Sequence, residues 1–321
     1  MLVWGIKAQA SATSYNAAIA VRPLFEEYTQ QRVIVENASD FCDRCPVIYR
    51  DDICIFISQS GETSETIQAL EYCKKKGAFC IGINNTPGST LSSNTECGIH
   101  LLAGTEMGIV ATKSYTSTIA VLELLLLLLI QDSVSLSETR KEAIKDLLEL
   151  PKHVSEVLKL KDQVEKIAPT LANQKANIVL GRRTHYATAR ETAQKIKELT
   201  YIASEGLMAG ELKHGPLALI DEDAFVIFFA TGEDQEMVDA CQSTLQQVKA
   251  RGAKILVVAT PNEVEKVKSL SDYLLVVPQV TQWTQMIINI IPMQLLTYYV
   301  AIKKGINVDR PRSILKSYSS I

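Results

Sequence analysis

Apolar residues fill positions 53–57 and 79–83, and fill 225–229 and 255–259 in the same way. Such runs, with no polar residue at alternate places, suit parallel strands covered on both faces. Between the members of each pair lies a segment of helical period, 64–76 or 235–250, which closes on Gly77-Ala78 or Gly252-Ala253. The second strand of each pair ends at Thr86-Pro87 or Thr260-Pro261. Strand, loop, helix, strand is the βαβ unit. Further helices are expected at 15–28 and 186–200, each opened by a Thr-x-Tyr turn. The strand that should precede the first of these, around 7–12, reads as weak because Lys7 and Gln9 interrupt it, and residues 2–6 are the alternative.

The two sets of elements are copies. A shift of 171 positions lays Thr13, Tyr15 and Ala18 on Thr184, Tyr186 and Ala189, and Gly61, Glu62 and Glu65 on Gly232, Glu233 and Glu236. One architecture has therefore been used twice. The predicted fold class is α/β: two tandem doubly wound parallel-sheet domains, flavodoxin-like three-layer α/β/α, which bind ligands at the carboxyl ends of their strands. The expected division is a phosphate-binding domain over 1–137, a helical linker over 138–167, a second domain over 168–312 and a tail over 313–321. Leu147, Leu148, Leu150, Val154, Val157 and Leu158 give the linker its helical period, and Pro151 is expected to bend or restart it.

Composition narrows the class. At 321 residues, 47% hydrophobic and 21% charged, the chain suits two globular domains. A net charge of −3 excludes a protein whose main work is neutralising nucleic acid. The longest greasy run, 124–130, falls short of the roughly 20 residues needed to cross a bilayer and reads as core helix. With no apolar leader at the start, the expectation is a cytoplasmic protein with no membrane partner. Seven scattered cysteines read mostly as buried free thiols, and the lone Cys42-x-x-Cys45 lacks companions for a metal, so no metal and no cofactor are expected.

The sharpest local chemistry is Ser58-Gln59-Ser60-Gly61-Glu62-Thr63, directly after a predicted strand and before a predicted helix. Three hydroxyls, a glycine and the free amides of a helix start can cradle a phosphate dianion, with Thr13 and Ser14 supplying a second hydroxyl pair. The plainer alternative is that these hydroxyls merely cap the helix. In the second copy Phe229 stands where Ser58 should be, so that cradle is lost. Instead the second half offers Lys195 and Glu198 on one helical face, and His214 beside Gly215-Pro216. A cation, a carboxylate and an imidazole suffice for acid–base work on a sugar. The alternative for Lys195 and Glu198 is an exposed salt-bridging face, and for His214 a structural role.

The Ser58–Thr63 loop, Gly104-Thr105-Glu106 with Ala111-Thr112-Lys113, the run of residues 211–221 (ELKHGPLALID) and Val308-Asp309-Arg310-Pro311-Arg312 together resemble the isomerase half of the glutamine:fructose-6-phosphate aminotransferases (glucosamine-6-phosphate synthases), which carry two SIS (sugar isomerase) domains. The resemblance implies conversion of fructose 6-phosphate plus ammonia to glucosamine 6-phosphate, on the way to UDP-N-acetylglucosamine. It places the phosphate at Thr13, Ser14, Ser58, Gln59, Ser60 and Thr63. His214 would help open the ring across a homodimer interface, Lys316 would form the Schiff base, and Glu198, with Lys195 close by, would move the proton between C1 and C2. The family's glutaminase domain has no counterpart before residue 13, which implies a truncated or degenerate copy that does not hydrolyse glutamine. Departures include the residues around Lys316, Ala111 in place of a hydroxyl, and Arg190, Thr192 and Gln194 before Lys195. The competing readings are a phosphosugar isomerase only, and a non-catalytic sugar-phosphate binding module.

Overall fold

The structure, a computed structural model, describes residues 5–232 and 235–312. These fall into two compact units, divided in sequence after Arg140.

In the first unit, strands β1 (Gly5–Ala10), β2 (Arg32–Asn37), β3 (Ile53–Ser58), β4 (Phe79–Asn84) and β5 (Cys97–His100) form one sheet in the order β2-β1-β3-β4-β5. Every pairing is parallel. Helices α1 (Ala12–Thr29), α2 (Ala38–Arg44), α3 (Ser64–Lys75), α4 (Thr90–Asn94) and α5 (Lys113–Leu129) connect and cover the strands. Phe41, Phe56, Leu70, Cys73 and Leu91 are central to one core layer.

The second unit repeats the plan. Strands β6 (Ala176–Gly181), β7 (Ala203–Met208), β8 (Phe225–Phe229), β9 (Lys254–Ala259) and β10 (Tyr273–Val276) lie in the order β10-β9-β8-β6-β7, again all parallel. Its helices include α8 (Thr184–Thr200), α9 (Gln235–Lys249), the short α10 (Val264–Val267) and α11 (Gln285–Lys303). In both sheets the order in which successive strands are laid down reverses between the unit's first and third strands, β1 and β3 or β6 and β8, which is the switch point where doubly wound sheets open a crevice.

The duplication reaches the backbone. β1 and β6, and β2 and β7, are offset by the same 171 residues, and so are two unusual conformations: Ala12 and Arg183 (φ 50° and 47°), then Gln30 and Tyr201 (φ 53° and 60°). At the start of α1, Ala12 adopts the left-handed conformation although it is not a glycine.

Several expectations are corrected. The weak first strand is present over Gly5–Ala10, paired on both sides. It holds because Lys7, buried in its interior, donates to Asp52 Oδ2 and to the Val47 carbonyl, each at 2.8 Å. Gln9 has no such support: it is fully buried and neither amide atom has a partner among the described residues. Leaving those groups unpaired costs about 1–3 kcal/mol, so Gln9→Leu is expected to raise the stability of the first unit by that amount, read as a higher denaturant midpoint at unchanged slope. Pro151 does not restart its helix: α6 (Ser137–Leu158) runs through it, and the break falls before α7 (Lys161–Ala172).

The 124–130 run is core on one side only, since Leu125, Leu126 and Leu127 are buried while Leu124, Leu128 and Leu129 are about half exposed. α11 is long and apolar enough to cross a membrane, yet 72% of its apolar window is buried in the protein. It packs on α7 and α8 and is a core helix. All seven cysteines are free. Cys54, Cys73, Cys80 and Cys241 are buried, but Cys45 and Cys97 are exposed and Cys42 lies between. Burial pushes the Cys80 thiol up to about 12 and the Cys241 thiol up to about 11, so neither is a ready nucleophile.

Candidate functional site

Ser58 ends β3, and the five residues after it turn the chain into α3. The turn depends on Gly61, whose φ is +71° and whose amide donates to Ser58 Oγ at 3.1 Å. A Cβ built there would stand 2.1 Å from Ser89 Oγ. Ser89 is itself fixed by Asn84 at the end of β4, whose amide donates to its hydroxyl at 2.8 Å. Gly61→Ala therefore forces both strain and a clash, and is expected to cost about 1–3 kcal/mol and to weaken sugar-phosphate binding at least about tenfold, measured by calorimetry.

The hydroxyls are not spent on capping. Thr63 is the N-cap of α3 yet makes no side-chain cap bond; its hydroxyl lies 2.9 Å from Ser58 Oγ. The amides of the first helical turn have no intrahelical partner and stay available. Glu62, the one carboxylate within the loop, accepts from the Thr90 amide at 2.7 Å, so its charge is engaged at the start of α4. Ser60 Oγ accepts from the Glu62 amide at 3.1 Å.

β1 lies beside β3, with Ala10 opposite Ile57, so the start of α1 emerges next to this loop. Thr13 and Ser14 are in the first turn of α1, whose N-cap Ser11 makes no side-chain cap bond and whose first turn carries no acid. Two uncapped helix starts thus share the switch point of the first unit. Such a place attracts an anion through the helix dipoles and the amides that open α3.

At the matching switch point of the second unit the crevice is filled. His185 and Thr231, the counterparts of Ser14 and Ser60, meet at 2.8 Å, and Asn289 of α11 donates to Thr231 Oγ1 at 2.7 Å. The Asn289 amide also lies 3.2 Å from His185 Nδ1. That arrangement suits a neutral ring with Nδ1 accepting, since a charged ring would set two donors face to face. Burial drives the His185 pKa down to about 4, against a smaller upward pull from Thr231.

Farther along α8, Lys195 is buried between two carboxylates, at 2.6 Å from Glu198 Oε2 and 3.5 Å from Glu191 Oε1. Glu198 Oε1 accepts from Gln194 at 2.8 Å. Burial by itself lowers the Lys195 pKa, but the two carboxylates together outweigh it and the net shift is upward. The ammonium therefore stays charged at neutral pH.

Comparison with known proteins decides the family. The SIS domain model matches residues 9–128 and 170–304. The chain belongs to the SIS family. Within it, the chain is a homologue of the isomerase half of the glutamine–fructose-6-phosphate aminotransferases. It is 44% identical over 308 residues to glutamine–fructose-6-phosphate aminotransferase [isomerizing] 1 of Rattus norvegicus, covering 96% of this chain and 45% of the relative. Against the Saccharomyces cerevisiae enzyme it is 45% identical over 313 residues, covering 96% and 43%. The C-terminal domain of glucosamine-fructose-6-phosphate aminotransferase from Francisella tularensis superposes with a TM-score of 0.90 at 32% identity, covering 96% of this chain and 86% of that one. The chain spans under half the length of the curated relatives it matches.

Among the described residues, the positions expected to form the site fall in three groups. Ser58, Gln59, Ser60 and Thr63 form one loop, with Thr13 and Ser14 on the neighbouring strand–helix junction. Lys195 and Glu198 are in direct contact, and the exposed-face alternative is overturned because Lys195 is only 3% exposed. His214 is exposed, in a turn where its amide donates to the Glu211 carbonyl at 3.0 Å and Gly215 takes a φ of +131° that only glycine tolerates. No hydrogen bond or ion pair joins it to Lys195 or Glu198 among the described residues. Lys316 lies outside the described residues.

Sequence reasoning missed Glu191, fully buried beside Lys195, although its four-residue spacing from Lys195 was a readable signal. It also missed the His185–Thr231–Asn289 cluster, for which only the 171-residue repeat gave a hint.

Proposed function

We propose that the chain converts fructose 6-phosphate and ammonia to glucosamine 6-phosphate, as the isomerase half of an aminosugar-forming enzyme. The observation that carries this reading is the pair of uncapped helix starts at the first switch point, with Thr63 bonded to Ser58 and its helix left open to an anion. In this reading Thr13, Ser14, Ser58, Gln59, Ser60 and Thr63 hold the phosphate. Lys316 condenses with the C2 carbonyl and releases water. Ammonia then displaces the lysine amine, leaving an imine at C2. Glu198 takes a proton from C1 while the imine nitrogen gains one, giving an enolamine; a proton returned to C2 and loss of the C1 hydroxyl proton then leave an amine at C2 and an aldehyde at C1. Lys195 keeps a positive charge against Glu198 during that transfer. The test is product analysis after incubation with fructose 6-phosphate and ammonium: glucosamine 6-phosphate is expected, and its absence in Glu198→Gln and Lys316→Ala ties it to this mechanism.

His214 fits a role in ring opening at the site of a second copy, in a cytoplasmic homodimer. Mixing His214→Ala with Glu198→Gln subunits is then expected to restore about a quarter of wild-type turnover, since half the dimers are hybrids and each has one intact site. Hybrids as dead as the parents would place His214 in its own subunit's site or outside catalysis.

One observation favours the non-catalytic binding module: both Glu198 oxygens are already bonded, to Gln194 and to Lys195. Saturable fructose 6-phosphate binding with no product would support it.

A further inference from the structure

At the carboxyl edge of the first sheet, the segments that follow β3, β4 and β5 are joined through one residue. Asn85 comes directly after β4, and its backbone amide donates to the Gln59 carbonyl in the Ser58–Thr63 loop at 3.0 Å. Its side chain reaches the segment 101–112, which leads from β5 to α5. Asn85 Oδ1 accepts from the Ala103 amide at 3.0 Å, and Nδ2 donates to the Gly104 carbonyl at 2.9 Å. A side-chain amide carries an acceptor and a donor side by side, and here both are spent on the backbone of one segment. That segment gains little from packing where Asn85 grips it: Leu102 is 87% exposed at a φ of +51°, and Gly104 takes a φ of +66°. Farther along, Glu106 accepts from the Thr112 amide and from the Ser114 hydroxyl, each at 2.7 Å, and so fixes the segment to the start of α5.

The fold does not require this lacing. In the second unit, whose cradle is filled, Thr260 follows β9 as Asn85 follows β4, and the Val277 amide donates to Ala259 as Leu101 does to Asn84. There the resemblance stops. The Thr260 amide donates to Glu263 Oε2 at 3.1 Å and its hydroxyl goes to the same oxygen, so both groups are used inside their own turn. Among the described residues no hydrogen bond joins Thr260 to the segment after β10. The cross-link thus accompanies the open cradle and not the sheet.

We propose that Asn85 is a positioning residue for the bound sugar: it holds the segment 103–112 against the Ser58–Thr63 loop, so that a ligand fixed there by its phosphate meets the segment with its hydroxyls. This inference rests on the phosphate-binding reading given above. One side chain separates the segment from Gln59, and over 103–105 the segment reads Ala-Gly-Thr, backbone and a hydroxyl without charge. Such a wall suits a polyol better than a second anion, and a site works only where its walls are held in place by neighbouring bonds.

Phosphorus NMR titrations of the chain with fructose 6-phosphate and, separately, with inorganic phosphate test the role. In Asn85→Ala the affinity for fructose 6-phosphate is expected to fall at least about tenfold, and that for inorganic phosphate less than about twofold. Asn85→Asp keeps the acceptor for Ala103 and loses the donor to Gly104. Its added charge weakens both ligands, so the readout is the ratio of the two affinities, expected between those of wild type and Asn85→Ala. Gly104→Ala strains the backbone that Asn85 holds, while its new Cβ meets nothing nearer than Lys113 Nζ at 3.8 Å. It should lower the same ratio, and it keeps the test open if the Asn85 variants misfold. An unchanged ratio in Asn85→Ala, whether both affinities fall together or neither moves, would overturn the proposal, because a side chain that merely supports the fold disturbs both ligands alike. Binding of neither ligand by the wild type would remove the phosphate reading itself, and this inference with it.

Discussion

Replacing Lys195 with alanine is expected to destabilise the second unit by about 3–5 kcal/mol and to abolish product formation. Glu191 is fully buried and Glu198 only partly exposed, and Lys195 is the cation between them. Removing one member of a buried ion pair leaves the other charge without compensation in a medium that solvates it poorly. Stability and catalysis can be separated by also removing the stranded charge. The double variant Lys195→Met, Glu191→Leu is expected to recover most of the lost stability, because two apolar side chains of similar volume replace the ion pair, while turnover stays absent. If the double variant is as unstable as Lys195→Ala, Glu191 is not the group that suffers.

A second large effect is expected from pH. His185 has its pKa drawn down from 6.5 to about 4 in the folded chain, chiefly by burial. The unfolded chain therefore takes up a proton first as the pH falls. Stability from this group is complete above about pH 6.5, falls between there and pH 4, and levels off below, a loss of about 3 kcal/mol. Carboxylates titrate in the same range, so the measurement is the difference between wild type and His185→Gln, followed by denaturant unfolding from pH 7.5 to pH 4. That difference should move by about 3 kcal/mol in favour of the variant as the solution is acidified. A difference that stays constant would show that His185 is not held neutral by its surroundings.

The apolar interior strands were legible, since β3, β4, β8 and β9 are continuous hydrophobic runs and nothing else in the chain fits them. Their edge neighbours were not. β2 and β7 carry charges and glycine because one side of each is free of a strand partner, and the amphipathic signal is correspondingly faint. β1 was under-read for a different reason: Lys7 looks foreign to a strand interior until Asp52, distant in sequence, is seen to neutralise it. Pro151 does not restart the helix as one alternative had it, since α6 runs through it.

In the site, spacing exposed the Ser58–Thr63 loop and the contact of Lys195 with Glu198. It could not show that Thr63 leaves its helix uncapped, because that depends on which way a hydroxyl turns. Nor could it show that Gly61 is required by Ser89, which approaches from the turn after β4. The loss of the second cradle was visible as Phe229, but what fills it was not. His185, Thr231 and Asn289 are far apart in sequence, and only the packing of α11 into the second unit brings them together.

The most direct measurement is isothermal titration of the chain with fructose 6-phosphate and, separately, with fructose. Saturable binding of the phosphate ester, weak or no binding of the free sugar, and at least tenfold loss of affinity in Gly61→Ala are the expected results. Equal heats for the two sugars, or full affinity for the ester in Gly61→Ala, would contradict a phosphate held between the starts of α1 and α3.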